Sequence, residues 1–154
     1  MPNNIDDPHY DSLGAWAKRC YFAGRAAMEA TLRPYGLGTT QWYVLHQLAT
    51  DGPTMQRELL RMLEVERATL SVIVSTLVRK GLVEQLPDRT DHRQKLLRLT
   101  QAGTDLWGRL PDITTQIRDA AFAGIDKADI AIAVQVLETA TGRLNRLSSK
   151  GFSE

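Results

Sequence analysis

The segment from Thr54 to Thr100 most constrains the fold of this chain, because two short helical patterns meet there at a tight turn. A first helix is predicted from Met55 to Leu63, and Glu64-Val65 leaves room only for a turn. A second helix is predicted from about Glu66 to Lys80, and Gly81 ends it. Two helices joined in this way form a helix-turn-helix.

A β-hairpin is predicted directly after the second helix. Leu82–Leu86 alternates apolar and polar residues as a half-buried strand does, and Lys95–Leu99 returns as its partner. The tip between them, Pro87–Gln94, is polar and charged. The order helix, turn, helix, hairpin is that of a winged helix-turn-helix, in which the second helix enters the major groove of DNA.

The second helix has one side suited to a core and one suited to DNA. Its apolar residues recur at steps of three and four, which makes one stripe of Leu70, Ile73, Val74, Leu77 and Val78. The opposite side is small and hydrogen-bonding, so it could approach a major groove. A cation in the first turn opposes the helix dipole, so Arg67 is not explained by helix stability. The candidate DNA contacts on the two helices are Arg57, Arg67, Thr69, Ser71, Val72, Ser75, Thr76 and Arg79.

The hairpin tip adds Arg89, His92, Arg93 and Lys95 as candidate contacts to phosphates or to a minor groove. Two simpler explanations stay open. A helix face rich in Ser, Thr and Arg can be a solvated surface with no partner. Asp91 can also pair with Arg93 or Arg89 and only stiffen the loop. The order of all the parts favours the DNA-binding interpretation.

Residues 54–103 resemble the winged-helix domain of the MarR family of bacterial transcription regulators. The segments that carry the resemblance lie in the recognition helix, at the hairpin entry, at its tip and at its exit: Arg67–Ser71, Lys80–Glu84, Asp88–Arg93 and Leu99–Gly103. The last two are the most distinctive. The resemblance extends more weakly over almost the whole chain, since its length and helix order also match.

The resemblance implies an obligate homodimer that binds a pseudo-palindromic operator in double-stranded DNA. It commonly implies a repressor that releases the operator on binding a small phenolic or aromatic effector. One departure stands out, because the family often has arginines at two recognition-helix positions where this chain has Val72 and Thr76. Val72 could instead touch thymine methyl groups. The departure keeps open the alternative of a winged-helix module that binds protein, with little sequence-specific DNA binding.

Positive charge is concentrated on the predicted DNA reader. The 154-residue chain has a net charge of +1, yet residues 54–100 hold 9 Lys/Arg against 6 Asp/Glu. Residues 1–53 hold 4 against 5, and residues 101–154 hold 6 against 7. Attraction to phosphate requires this placement. No stretch approaches the ~20 apolar residues of a membrane span. A single cysteine and a polar N-terminus favour the cytoplasm.

Apolar helices are predicted on both sides of the module. The first covers residues 9–33, with Tyr10, Leu13, Ala17, Cys20, Gly24, Ala27 and Met28 on one side. The second runs from Gln41 to Thr50, with Thr39 or Thr40 as its cap.

After the cap Thr100, a helix to about Ala123 is predicted to kink or break near Pro111. Asp126 is predicted to cap the last helix. The expected organisation is a single unit over residues 1–154. It contains a winged-helix module at 39–100 and dimerisation helices at 9–34 and 101–148, because mutual burial with a second copy would cover long apolar stripes.

The resemblance also implies a ligand pocket where the first, second and fifth helices meet the reading module. Its candidate residues are Trp16, Cys20, Trp42 and His46, whose aromatic walls suit a small aromatic acid. Tryptophans at helical spacing are typically core residues, and His46 can be a satisfied or exposed histidine. Cys20 can be a peroxide sensor, as in some family members, although a buried structural cysteine is favoured.

Neither an enzyme nor a cofactor is indicated. The sequence has no phosphate-binding glycine loop and no nucleophile elbow. His9, His46 and His92 are far apart, and one cysteine cannot complete a thiolate site, so a metal is disfavoured. The predicted fold class is therefore mainly α with a small β-hairpin wing, a winged helix-turn-helix flanked by N- and C-terminal dimerisation helices.

Overall fold

The computed structural model describes residues 12–150. Residues 9–11, which include Tyr10, lie outside the described residues. They begin both the first predicted helix and the predicted dimerisation segment 9–34. The helices and strands follow in the order α1 Leu13–Leu32, α2 Thr39–Asp51, β1 Thr54–Met55, α3 Gln56–Leu63, α4 Arg67–Arg79, β2 Val83–Pro87, β3 Lys95–Leu99, α5 Gln101–Arg109, α6 Ile113–Phe122 and α7 Lys127–Lys150. A 3-10 turn, Arg33–Tyr35, lies between α1 and α2. The predicted class, mainly α with a β-hairpin wing, is confirmed.

The winged helix-turn-helix begins with a strand that the sequence pattern did not predict. The predicted helix starts at Met55, but Met55 forms β1 together with Thr54, and this strand pairs antiparallel with β3. The sheet order is β1-β3-β2, with Leu97 opposite both Thr54 and Gln85. Two residues are too few to show an alternating pattern, so this strand exists only because β3 offers it a partner.

The two turns of the module are set by left-handed backbone. Glu64 between α3 and α4 has φ 51°, and Gly81 after α4 has φ 74°. At the end of α4 the Leu82 amide donates to the Leu77 carbonyl, and the Gly81 amide donates to Val78. These two bonds make a Schellman motif, which requires a left-handed residue at position 81 and directs the chain into β2.

Helix starts agree with the sequence at two predicted caps and differ at one. The Thr100 hydroxyl accepts from the Gly103 amide at 3.0 Å, and the Asp126 carboxylate accepts from the Ala128 amide at 2.9 Å. The predicted cap of α2 at Thr39 or Thr40 is wrong. Gly38 is the cap residue, and its amide donates to the Gln41 side chain at 3.3 Å.

The break at Pro111 is confirmed. Helix α5 ends at Arg109, and Leu110 adopts an extended backbone with ψ 139°. The residue before a proline is pushed out of the helical region, so the chain must restart. It does so at α6, where the Thr115 amide donates to the Asp112 carboxylate at 3.2 Å. The break separates two helices that one periodic stripe would otherwise join.

The core lies under the winged helix and is built from α2, α3, α4 and the sheet. Its fully buried side chains include Leu45, Leu59, Leu70, Leu77 and Leu97. Within the predicted α4 stripe, Val78 is an exception, since it is exposed. Val78 lies beside the helix end, where the chain has already turned towards β2 and no longer covers that face.

Helix α1, whose predicted apolar side includes Leu13, Cys20 and Met28, is covered only at its C-terminal end. Met28 and Leu32 are buried, whereas Leu13 and Trp16 are about half exposed, at 50% and 55%. Cys20 is exposed, so the expectation of a buried structural cysteine is wrong for this chain by itself. Periodicity marks an apolar face, but it does not show what covers that face.

Contacts divide the chain into two units, and the boundary falls within α6 between Ile117 and Arg118. The second unit contains the end of α6 and helix α7. Helix α7 carries several exposed apolar side chains: Ile132, Val134, Val136 and Leu144. Within the described residues no helix combines the length and the apolarity that crossing a membrane needs.

Candidate nucleic-acid interface

A cleft of about 460 Å³ lies where α3, α4 and the hairpin meet. Four of its lining side chains are cationic, and none of its described lining residues is acidic. The lining consists of Gln56, Arg57, Leu60, Arg67, Leu70, Ser71, Gln85, Arg93, Gln94 and Lys95. A concave surface lined by one sign of charge focuses the electric field, so this cleft attracts polyanions.

Two of the four cations stand at helix starts. Arg67 is the first residue of α4, and Arg57 is the second residue of α3. The N-terminal end of a helix dipole is positive, so both arginines are placed against the dipole. The left-handed turn at Glu64 joins the two helices, and it allows both helix starts to reach one cleft. These positions cost helix stability but concentrate positive potential where an anion would approach.

The other two cations come from the hairpin, whose tip is held by its own acids. The Asp88 carboxylate accepts from the Thr90 hydroxyl at 2.7 Å and from the Asp91 amide at 3.2 Å. The Thr90 hydroxyl, followed by the Asp91 amide, lowers the pKa of Asp88. The Asp91 carboxylate accepts from the Arg93 amide at 3.0 Å. The acids therefore shape the loop that presents Arg93.

The cations of the hairpin differ in how closely an acidic side chain pairs with them. The Arg98 guanidinium contacts the Glu84 carboxylate across β2 and β3 at 2.7 Å, so its charge is matched. Arg93 lies 3.8 Å from Asp91 through Nε, and its side chain is 95% exposed. An ion pair this long and this exposed contributes little to stability, so it leaves Arg93 available to a phosphate. Asp91 can stiffen the loop through its bond to the Arg93 amide while the Arg93 guanidinium contacts a phosphate.

The outward side of α4 carries hydroxyl and methyl groups. Thr69, Ser71 and Ser75 are exposed, and Val72 is 67% exposed. The Thr76 hydroxyl donates to the Val72 carbonyl at 2.9 Å and accepts from Arg79 at 3.4 Å, so the helix already uses it. This surface can enter a groove without a long side chain in its way.

The structure divides the predicted DNA contacts into three groups. One group lines the cleft: Arg57, Arg67, Ser71, Arg93 and Lys95. A second lies on α4 outside the cleft lining: Thr69, Val72, Ser75, Thr76 and Arg79. Arg89 and His92 are exposed at the hairpin tip and do not line the cleft.

Three glutamines of the cleft were missed by sequence reasoning. The Gln85 amide donates to the Gln56 side chain at 2.8 Å, and Gln94 lines the same cleft. Gln56 and Gln85 are 29 residues apart, so no local pattern relates them. Their pairing follows from the sheet, in which Thr54 and Gln85 lie on either side of Leu97 and Gln56 directly follows β1.

A second cavity, of about 300 Å³, lies between α2 and the α5–α6 break. Its aromatic wall consists of Trp42, His46 and Trp107. Trp42 stacks on His46 with ring centres 5.0 Å apart and lies 5.5 Å from Trp107. The Trp42 indole nitrogen is buried and has no acceptor among the described residues. The cavity therefore offers flat apolar surface.

The predicted ligand residues do not all come together. Trp42 and His46 line this cavity, whereas Trp16 and Cys20 are exposed on α1 and are not among its lining. Trp107 was missed by sequence reasoning, because no local pattern relates it to Trp42. Only the fold shows that Trp107 faces α2.

Comparison with known proteins agrees with this geometry. A family model described as MarR family matches residues 35–94. The transcriptional repressor NicR of Pseudomonas putida is 26% identical over 128 residues, which are 81% of this chain and 81% of NicR. The transcriptional repressor IacR of Pseudomonas putida is 25% identical over 132 residues, 86% of this chain and 79% of IacR.

Two solved structures share the fold. A cysteine-to-serine mutant of MarR from Escherichia coli, complexed with operator DNA, superposes with a TM-score of 0.75 at 22% identity, over 83% of this chain and 92% of that one. BpsR of Bordetella bronchiseptica, whose DNA binding is regulated by 6-hydroxynicotinic acid, has a TM-score of 0.75 at 23% identity, over 86% of this chain and 94% of that one.

Proposed function

We propose that this chain, whose residues 35–94 match the model of the MarR family, is a dimeric, effector-responsive repressor of transcription. The observation that carries the proposal is the cleft between α3, α4 and the hairpin. Its described lining contains four cationic side chains and no acidic one. The family is one of transcription regulators rather than enzymes. The protein acts in the cytoplasm, where bacterial DNA is found.

The parts of the interface have different tasks in this proposal. Helix α4 enters the major groove, and Arg67 in its first turn reaches base edges. Arg57, Arg93 and Lys95 neutralise phosphates along the cleft and fix the position of the helix on the duplex. Arg89 and His92 at the hairpin tip follow the backbone or the adjacent minor groove.

Helix α1 and the C-terminal helices serve dimerisation in this proposal. The N-terminal part of α1 leaves Leu13, Trp16 and Phe22 exposed, and α7 separately leaves Val134 and Leu144 exposed. Exposed apolar side chains in long helices are buried in a homodimer. A two-fold dimer sets two recognition helices about one DNA turn apart, which explains a pseudo-palindromic operator.

The proposal is tested by fluorescence anisotropy of the full chain with DNA from upstream of its own gene. A scrambled duplex is the control, and each titration is run at two salt concentrations. Tight binding that prefers the upstream DNA and weakens steeply with salt is expected, because bound cations release counterions. Equal and weak binding to both duplexes would favour the alternative, a winged-helix module that binds protein through an apolar face.

We further propose that a small aromatic effector binds beside Trp42, His46 and Trp107. The support is a cavity of about 300 Å³ lined by three aromatic rings. An aromatic ring can stack against these rings. The named ligand of BpsR, 6-hydroxynicotinic acid, has this chemistry and is the first compound to test.

Tryptophan fluorescence tests this site. Addition of 6-hydroxynicotinic acid, or of another aromatic acid from a panel, is expected to quench emission and to release operator DNA over the same concentration range. Trp107→Ala should raise the ligand concentration needed for half-maximal quenching by about tenfold or more. The matched control is Trp16→Phe, which alters an exposed tryptophan outside the cavity. Quenching that Trp16→Phe abolishes and Trp107→Ala leaves intact would place the ligand elsewhere.

A further inference from the structure

Val72 is the most exposed large apolar side chain in the described part of the chain, at 67%. It lies in the middle of α4, in which the core residues Leu70, Val74 and Leu77 are at most 1% exposed. A single exposed valine is ordinary on a protein surface. It is informative here because it stands on the helix surface that the proposed function puts into the major groove.

The chemistry around Val72 is unusually uniform. From Ala68 to Val78 the helix carries no charged side chain. The Thr76 hydroxyl one turn later is committed to the Val72 carbonyl. The remaining polar neighbours on this surface are the short hydroxyls of Thr69, Ser71 and Ser75. The centre of the helix therefore presents its largest apolar group, the two valine methyls, with no long side chain to shield them.

The position of Val72 relative to the cleft follows from helix geometry. Arg67 and Ser71 are one turn apart and both line the cleft, whereas Val72 lies about 100° further around the helix from Ser71, on the side away from the core. Five residues separate Arg67 from Val72, which is about 7.5 Å along the helix. That length corresponds to about two base-pair steps of duplex DNA. Val72 would therefore meet a base about two pairs from the one that Arg67 reaches.

In the major groove, thymine presents a C5-methyl group, whereas cytosine presents an N4 amine donor. A valine against the amine would remove water from a donor without replacing its hydrogen bond, which is unfavourable. A valine against the methyl buries apolar surface on both sides. We propose that Val72 is a specificity-determining residue that reads the C5-methyl group of a thymine in each operator half-site. The inference rests on the proposed function, because it requires α4 in the major groove.

The test removes the methyl group from the DNA and the side chain from the protein. An operator is first selected from random duplexes by the full-length wild-type protein. Each of its thymines is then replaced by deoxyuridine, symmetrically in both half-sites. Affinities are measured by anisotropy for wild type, Val72→Ala and Val78→Ala. Val78 is the matched control, an exposed valine of the same helix that points away from Val72 by helical geometry.

One thymine position is expected to respond to the loss of its methyl. Deoxyuridine there should weaken wild-type binding about fourfold per half-site, or about 15-fold for both, which corresponds to one buried methyl group each. Val72→Ala should bind the thymine and deoxyuridine operators equally, whereas Val78→Ala should behave as wild type. Replacing that thymine by 5-methylcytosine should keep part of the affinity that plain cytosine loses.

The outcomes separate this inference from the proposed function. Suppose that the selected operator contains no thymine whose methyl group matters to wild type but not to Val72→Ala. That result would leave the protein a DNA-binding regulator and overturn the role of Val72. Coupling that Val78→Ala removes equally would do the same. If no duplex is preferred over random DNA, the proposed function fails and this inference fails with it. Val72→Thr is a second variant, and circular dichroism checks that it folds. Its remaining methyl group should preserve part of the preference for thymine over deoxyuridine.

Discussion

Replacing Arg93 and Lys95 together by alanine is expected to reduce operator affinity about 10³- to 10⁴-fold at about 0.1 M salt. Both side chains line the cleft, and the ion pair of Arg93 with Asp91 is long, at 3.8 Å, and largely exposed to solvent. In a dimer the change removes four phosphate contacts, each of which contributes about 0.9 to the slope of log affinity against log salt. The slope should therefore become shallower by about 3.6.

The control for this double variant carries the same change of charge elsewhere. Arg33 and Arg109 are exposed and lie outside the cleft lining. Arg33→Ala with Arg109→Ala should shift affinity by less than about tenfold, because charges beyond a Debye length of about 10 Å are screened. Titrations at three or four salt concentrations provide both slopes. Equal slopes in the two double variants would show that the hairpin does not touch phosphate.

Gly103→Ala is expected to lower the free energy of unfolding by about 3 kcal/mol, near the upper end of the usual cost of overpacking. A Cβ at Gly103 would overlap the Leu82 carbonyl oxygen and lie 3.1 Å from the carbonyl carbon. The obstacle is backbone and cannot rotate away. That carbonyl is also held in place, because it accepts from the Thr100 amide at 3.1 Å. The start of α5 must therefore approach the hairpin entry without a side chain.

Urea denaturation measures this effect as a shift in the transition midpoint at constant slope. The matched control is Gly108→Ala in the same helix, where an added Cβ meets nothing within 4 Å. It should stabilise the protein by about 0.5–1 kcal/mol, since alanine restricts the unfolded chain and favours a helix. Equal midpoints for the two variants would mean that α5 can shift away from Leu82 at little cost.

The predictions from sequence were best where the cause is local. The Thr100 cap, the break at Pro111 and the stop at Gly81 were all predicted, and the structure confirms them. Each depends on bonds or clashes between residues at most six positions apart. The cap of α2 shows the limit of this reasoning, because two threonines were plausible and the chain uses Gly38 with Gln41 instead.

The candidate site was only partly predictable, since its residues come together from distant segments. The cations at Arg67 and Arg93 were identified by their place in helix and hairpin. The Gln56–Gln85 bond was not, because it reaches across β3 and forms only in the assembled sheet. Trp107 was missed for the same reason, since its partner Trp42 is far away in the chain.

The sequence by itself determined the helices, the turn, the hairpin and the sign of the charge on them, because periodicity, capping and left-handed turns act over a few residues. Tertiary structure alone decided which charges share a cleft, which aromatic rings share a cavity and which apolar stripes stay uncovered. Cys20 and Leu32 illustrate the division, since both belong to one apolar helix. One is exposed and the other is fully buried, because α2 packs against only the end of α1.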